Sequence, residues 1–274
     1  MRKKRRSIIG GKSLEREAQS VFRPARKLRR SVYLLPSLFT VGNMFAGFFA
    51  IIAAFNGNYQ SAAIAIGVAV LLDGLDGRVA RLANATSDFG LQLDSLADII
   101  SFGLAPAVLL YSWGLSELGN FARFSAFVFL ICGAMRLARF NVQMQNLKHF
   151  AGLPIPAGAA FIAATVHFFG QPMTDTQLFK FYVVGITYLI ALLMISTIRY
   201  PSLKHLNLSR GKSHLNVLIL AFAVAGVFWY SQEVLMAMAA AYVLSGLSNR
   251  IYQFVRYRMA SAGVPEQDQL EDQG

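Results

Sequence analysis

One cysteine, Cys132, stands in the whole chain. A disulfide framework and a thiolate metal site within one chain are therefore both excluded, and the place of Cys132 inside an apolar run reads as buried packing. Histidine is nearly as sparse: His149, His167, His205 and His214 show no ligand spacing, and no chemistry is assigned to them. Charge is scarce as well, with 15% of residues charged against 55% hydrophobic. That balance excludes an ordinary water-soluble domain of this length. The apolar stretch after Arg6 runs only from Ser7 to Gly10 with no cleavage pattern behind it, so the N-terminus is not read as a signal peptide.

What fills the space left by charge is apolar length. A helix crossing the roughly 30 Å hydrocarbon core of a bilayer needs about 20 mostly apolar residues. Eight candidate spans run approximately over 33–55, 61–82, 91–112, 121–139, 154–170, 179–198, 215–230 and 233–255. The fifth and seventh are short enough to be tilted or interfacial, which puts the count at six to eight. The expected fold is all-α, a polytopic transmembrane helical bundle of about eight helices.

Lys and Arg alternate between the connections, and positively charged loops tend to stay cytoplasmic. One side collects the N-terminal tail, Arg78 and Arg81, Arg136, Arg139 and Lys148, then Arg199, Lys204, Arg210 and Lys212, and finally Arg250, Arg256 and Arg258. Both termini are thereby expected in the cytoplasm, within a cell membrane. The opposite connections are uncharged or acidic, with Glu117 and Asp175. Arg123 and Lys180 break the pattern, but each sits at a helix end from which it can snorkel to the interface.

Three regions follow. Residues 1–32 form a basic juxtamembrane segment, in which positions 1 to 30 hold twelve Lys or Arg against Glu15 and Glu17. Such a tail fixes orientation and touches anionic membrane lipids, at about 1 kcal/mol per basic residue, and is not read as a nucleic-acid site. Residues 33–258 form the transmembrane domain, and 259–274 a polar tail read as disordered.

The chemistry lies in two stretches, Asp73-Gly74-Leu75-Asp76-Gly77-Arg78-Val79-Ala80-Arg81 and Gly90-Leu91-Gln92-Leu93-Asp94-Ser95-Leu96-Ala97-Asp98. An ionised Asp at a helix centre costs about 3 kcal/mol, so four without partners would cost on the order of 10 kcal/mol. Something must compensate. Residues three or four apart share a helix face, which puts Asp73, Asp76, Gly77, Ala80 and Arg81 on one stripe and Gly90, Asp94 and Asp98 on another. If the two helices are antiparallel neighbours, all four carboxylates converge near the cytoplasmic interface. Oxygen-only ligands of this kind suit Mg²⁺ or Mn²⁺ rather than zinc. Gly77 and Gly90 would let a phosphate approach the helices closely, and Arg81 can neutralise phosphate charge; close helix packing is the other reading of the glycines, and a cation pathway or proton relay that of the aspartates.

The spacing Asp-x-x-Asp-Gly-x-x-Ala-Arg, eight residues, Gly-x-x-x-Asp-x-x-x-Asp resembles the signature of the CDP-alcohol phosphotransferase family at every specified position. The stretches Leu35–Asn43, Ser101–Ala107, Arg136–Asn141 and Gly152–Ala157 further resemble its bacterial phosphatidylserine synthase branch. The resemblance implies transfer of a phosphatidyl group from CDP-diacylglycerol to the hydroxyl of L-serine, with CMP leaving. It makes Asp73, Asp76, Asp94 and Asp98 metal ligands and Asp98 also the general base. Asn43, Asp73, Gly77, Arg81 and Gly90 would line the CDP site, and a homodimer is expected. Ser37 departs from the Asn that many relatives carry after the first-span proline.

A serine acceptor brings its own carboxylate, so its pocket needs a cation. Arg136, Arg139 and Arg199 are the candidates, with positive-inside anchoring as their alternative role; Asn141 would accept from the ammonium group or cap a loop. Glycerol 3-phosphate is the alternative acceptor. A divalent-cation transporter and a structural membrane protein are the readings from other classes, and no repeat of the aspartate motif speaks for a transporter.

Overall fold

The computed structural model describes residues 31–82, 88–143, 152–172, 176–198, 200 and 229–262. Among the described residues every regular element is helical and none is a strand. In chain order they are α1 (Ser31–Phe55), α2 (Tyr59–Leu82), α3 (Asp88–Asp98), α4 (Ala105–Leu110), α5 (Asn120–Gln143), α6 (Ile155–Phe169), α7 (Gln177–Ile195) and α8 (Ser231–Ala262). Two π-helical stretches, Ile99–Leu104 and Tyr111–Leu115, and a 3₁₀ turn at Ser116–Leu118 join α3 and α4 into one rod over Asp88–Leu118.

Seven of the eight expected spans thus have a helix, with the third and the last running six and seven residues beyond their expected ends. The expected 215–230 span lies outside the described residues except for its last two. Among the described residues four helical segments are long and apolar enough to cross a membrane: Leu38–Phe55, Asp88–Leu118, Asn120–Val142 and Gln177–Ile195. α2 has the length but carries Asp73, Asp76, Arg78 and Arg81 near its end. α6, with 15 residues, rises only about 22 Å and is the short fifth span the sequence suggests.

Small residues decide how the first helices meet. Ala46, Ala50, Ala53 and Ala54 of α1 and Ala62, Ala65 and Ala69 of α2 are all buried, at the three- and four-residue spacing of one face. Where lipid is as apolar as any side chain, such stripes drive association by letting backbones approach. On a neighbouring face of α1, a Cβ at Gly47 would collide with the backbone and hydroxyl of Ser101, so glycine admits the first π-helical stretch. Both aspartate-bearing helices consequently pack chiefly on α1, not on each other. α1 is thus their common support, while the side chains of Asp73, Asp94 and Asp98 still meet.

The remaining core lies between α4, the second π-helical stretch, α5, α6 and α7, around Trp113, Phe129, Ile155, Ile162, Ile190 and Met194. The chain enters α6 through Gly152, whose φ of 90° disfavours other residues and whose Cβ would strike the carbonyls of Met194 and Ser196. There Gly152 N–H donates to Ile198 O at 2.9 Å and Leu153 N–H to Leu193 O at 2.9 Å. Pro154 and Pro156 then open α6, where missing N–H groups cost nothing.

At the bundle end away from the aspartates, Tyr59 donates to Ser112 O at 3.0 Å and Trp113 Nε1–H to Gly170 O at 2.9 Å. Lys180 pairs with Glu117 at 2.6 Å, and Arg123 donates to Asn120 Oδ1 at 2.9 Å. The two basic residues that break the charge alternation therefore have local partners.

Candidate metal and nucleotide site

Asp73 on α2 and Asp94 and Asp98 on α3 each offer a carboxylate oxygen within 4.8 Å of the other two. Asp73 and Asp94 are half-buried and Asp98 is buried. Ionised at that separation, each pair would repel by roughly 3 kcal/mol even at an effective dielectric near 20. Asp98 Oδ1 is buried without a hydrogen-bond partner among the described residues. Three converging carboxylates, one with an orphaned oxygen, fit a hard divalent cation taken by oxygen ligands alone.

The fourth aspartate stands apart from this trio. Asp76 is buried, and its carboxylate accepts a hydrogen bond from the Thr40 hydroxyl of α1. One turn further along α1, Asn43 is wholly buried beside Asp98. No hydrogen bond of regular geometry joins the two, and both polar atoms of the Asn43 side chain lack a partner among the described residues. A buried amide in that state costs about 1–3 kcal/mol unless something binds it, which is what a nucleotide-facing Asn43 needs. Its backbone is engaged, because Ser101 Oγ donates to Asn43 O at 2.9 Å. Thr40 and Asn43, three residues apart on one face, thus address α2 and α3 in turn.

Gly77 is exposed, and nothing among the described residues lies within 4 Å of where its Cβ would be. Among the described residues no close helix contact is made at Gly77. Gly90 is half-buried. The side chains of Arg81 and Arg199 lie outside the described ones.

The acceptor candidates separate clearly. Arg136 on α5 is half-buried, lies within electrostatic range of Asp98, and has its guanidinium 5.3 Å over the Phe140 ring. Arg139 instead donates to Ile195 O at 3.0 Å, satisfying a carbonyl at the C-terminus of α7. Asn141 is exposed and donates to Ser95 Oγ at 3.0 Å, tying the end of α5 to the aspartate helix. Tyr242 of α8, to which the sequence analysis gives no role, has its ring tilted against that of Tyr200, with centroids 5.8 Å apart. Thr40 is likewise absent from the sequence-derived site, although its three-residue offset from Asn43 within a flagged stretch is a legible signal.

The sequence profile of the CDP-alcohol phosphatidyltransferase family matches residues 33–198. The CDP-diacylglycerol--serine O-phosphatidyltransferase of Helicobacter pylori is 35% identical over 232 residues, covering 82% of this chain and 94% of that one. A Bacillus subtilis protein of the same name is 36% identical over 170 residues, 62% of this chain and 91% of its own. One from Methanocaldococcus jannaschii is 45% identical over 136 residues, 49% of this chain and 60% of its own.

Proposed function

The chain belongs to the CDP-alcohol phosphatidyltransferase family, and from that premise we propose that it transfers the phosphatidyl group of CDP-diacylglycerol to L-serine, giving phosphatidylserine and CMP. It is a membrane-embedded transferase of phospholipid synthesis. The observation that carries the reading is the convergence of Asp73, Asp94 and Asp98 inside apolar helices, beside a wholly buried Asn43 whose side-chain amide has no hydrogen-bond partner among the described residues.

The bond changes assign the work. A serine hydroxyl oxygen bonds to the phosphorus that carries diacylglycerol, the bond from that phosphorus to the CMP oxygen breaks, and the hydroxyl proton must leave. Asp98 is the acceptor for that proton: its Oδ1 makes no competing hydrogen bond among the described residues. Asp73, Asp94 and Asp98 would hold Mg²⁺ or Mn²⁺, with Asp76 as a further ligand, and such a cation supplies Lewis-acid stabilisation of charge on the phosphoryl oxygens. Asn43, Gly77, Arg81 and Gly90 would receive the CDP portion, Asn43 through its free amide and the glycines by removing obstacles to the diphosphate. Arg136, within electrostatic range of Asp98, would take the serine carboxylate and hold it away from the base. The reading includes a cytoplasmic active site, cytoplasmic termini and assembly as a homodimer.

Purified protein supplied with CDP-diacylglycerol and Mg²⁺ or Mn²⁺ should release CMP and form phosphatidylserine when L-serine is added. Product formed from glycerol 3-phosphate with serine ignored would overturn the acceptor and leave the family standing.

A further inference from the structure

Thr40, Asn43 and Gly47 follow one another at steps of three and four residues along α1 and so share a face. Each of them meets α2 or the rod that begins with α3. Thr40 donates its hydroxyl to Asp76 of α2. The backbone carbonyl of Asn43 accepts from Ser101 Oγ at 2.9 Å, and Gly47 leaves the gap in which Ser101 sits, since a Cβ there would stand 2.6 Å from Ser101 Cα. Ser101 is wholly buried and lies three residues past Asp98, in the first π-helical stretch.

These two contacts of Ser101 do what the alanine stripe of α1 does not. Small residues let helix backbones approach, but a row of them at regular spacing offers similar contact at more than one register. A hydrogen bond is directional and nearly fixed in length, and at a wholly buried Asn43 water does not compete for the carbonyl. The Ser101 hydroxyl thus fixes both the slide and the rotation of α1 against the rod that carries Asp94 and Asp98. What that register sets is the Asn43 side chain, which belongs to the same residue as the gripped carbonyl. Both polar atoms of that side chain lack a hydrogen-bond partner among the described residues. Its direction therefore follows from where its backbone is held.

We propose that Ser101 is a positioning residue for nucleotide binding: seated in the gap at Gly47 and bonded to Asn43 O, it holds α1 at the register in which the Asn43 amide faces the CDP portion of the substrate. This rests on the reading of the chain as a phosphatidyltransferase with Asn43 at the nucleotide. CMP, the product, serves as the probe, in competition with CDP-diacylglycerol. Ser101→Ala removes the hydroxyl and keeps the Cβ. The KM for CDP-diacylglycerol and the inhibition constant of CMP should both rise roughly three- to tenfold, as for one lost hydrogen bond, while kcat and the serine KM stay within about twofold. Ser101→Cys, with a weaker donor of similar shape, should fall between alanine and wild type. A role exercised through Asn43 must also be non-additive with it. Made on an Asn43→Ala background, Ser101→Ala should therefore change either nucleotide constant little further.

Equal losses for both substrates, additive effects in the double variant, or unchanged nucleotide constants in Ser101→Ala would each show Ser101 to be a packing residue and overturn the proposal. Should Ser101→Ala fail to fold, Ser101→Cys on the wild-type and Asn43→Ala backgrounds decides the same comparison. Wild-type protein that releases no CMP with any hydroxyl acceptor refutes the functional reading first, before any variant is compared, and this proposal with it. Wild-type activity together with an unchanged CMP constant in Asn43→Ala leaves the transferase reading intact, removes Asn43 from the nucleotide and overturns the role of Ser101.

Discussion

The hydroxyl of Thr40 donates to the carboxylate of Asp76, joining the first helix to the second at the signature acid that stands outside the three-oxygen cluster. Removing one partner from a buried carboxylate costs about 1–3 kcal/mol. Thr40→Val should therefore lower kcat/KM for CMP release roughly ten- to a hundredfold, whereas Thr40→Ser keeps the donor and most of the rate. A valine variant with wild-type kinetics would remove Thr40 from the site.

The three converging carboxylates lead to a metal prediction with two readouts. EDTA should abolish CMP release, and Asp94→Asn or Asp98→Asn should reduce it by orders of magnitude without preventing membrane insertion. Mn²⁺ should also raise the thermal midpoint of the wild type in detergent, since a ligand that binds only the folded state stabilises it, and should do so much less for Asp94→Asn. Full activity in EDTA would sink the assignment.

Arg136 and Arg139 are one turn apart on α5, yet their surroundings differ. Arg139→Ala removes the donor to Ile195 O and should lower thermal stability by about 0.5–2 kcal/mol with serine kinetics little changed. Arg136→Ala should raise the serine KM roughly ten- to a hundredfold and spare that for CDP-diacylglycerol. Steady-state kinetics and thermal melts on both variants check the pair; exchanged phenotypes would exchange the roles.

Orientation is checked in the cell. Reporter fusions after Arg81 and Lys148 should report cytoplasm, and fusions near Asn58 and Glu117 should not. A periplasmic signal at Lys148 would invert the topology and the side on which the chemistry occurs.

The helices were legible because apolar length and the near-absence of charge leave few alternatives in a bilayer, and the aspartates because intramembrane carboxylates have no innocent explanation at that spacing. What could not be read was which helix supports which. The burial of Asn43 beside Asp98 and the hold of Thr40 on Asp76 depend on α1 packing against both α2 and α3, a consequence of alanine and glycine stripes that look alike on every helix. Arg139 could not be told from Arg136 by charge, since only the end of α7 distinguishes them.

The π-helical stretch Ile99–Leu104 begins directly after Asp98. An α-helix turns about 100° per residue, and a π turn absorbs an additional residue, so the rod's two halves point their faces independently. Asp94 and Asp98 turn toward the site, while Phe102, Ala105 and Leu109 turn wholly into the core. A single-residue deletion within the π turn would return it to α-helical winding and leave both faces aimed as before, whereas a further deletion would have no slack to draw on and would turn one face from its partners by about 100°. The stretch is thus a one-residue reserve of length between the carboxylates and the core.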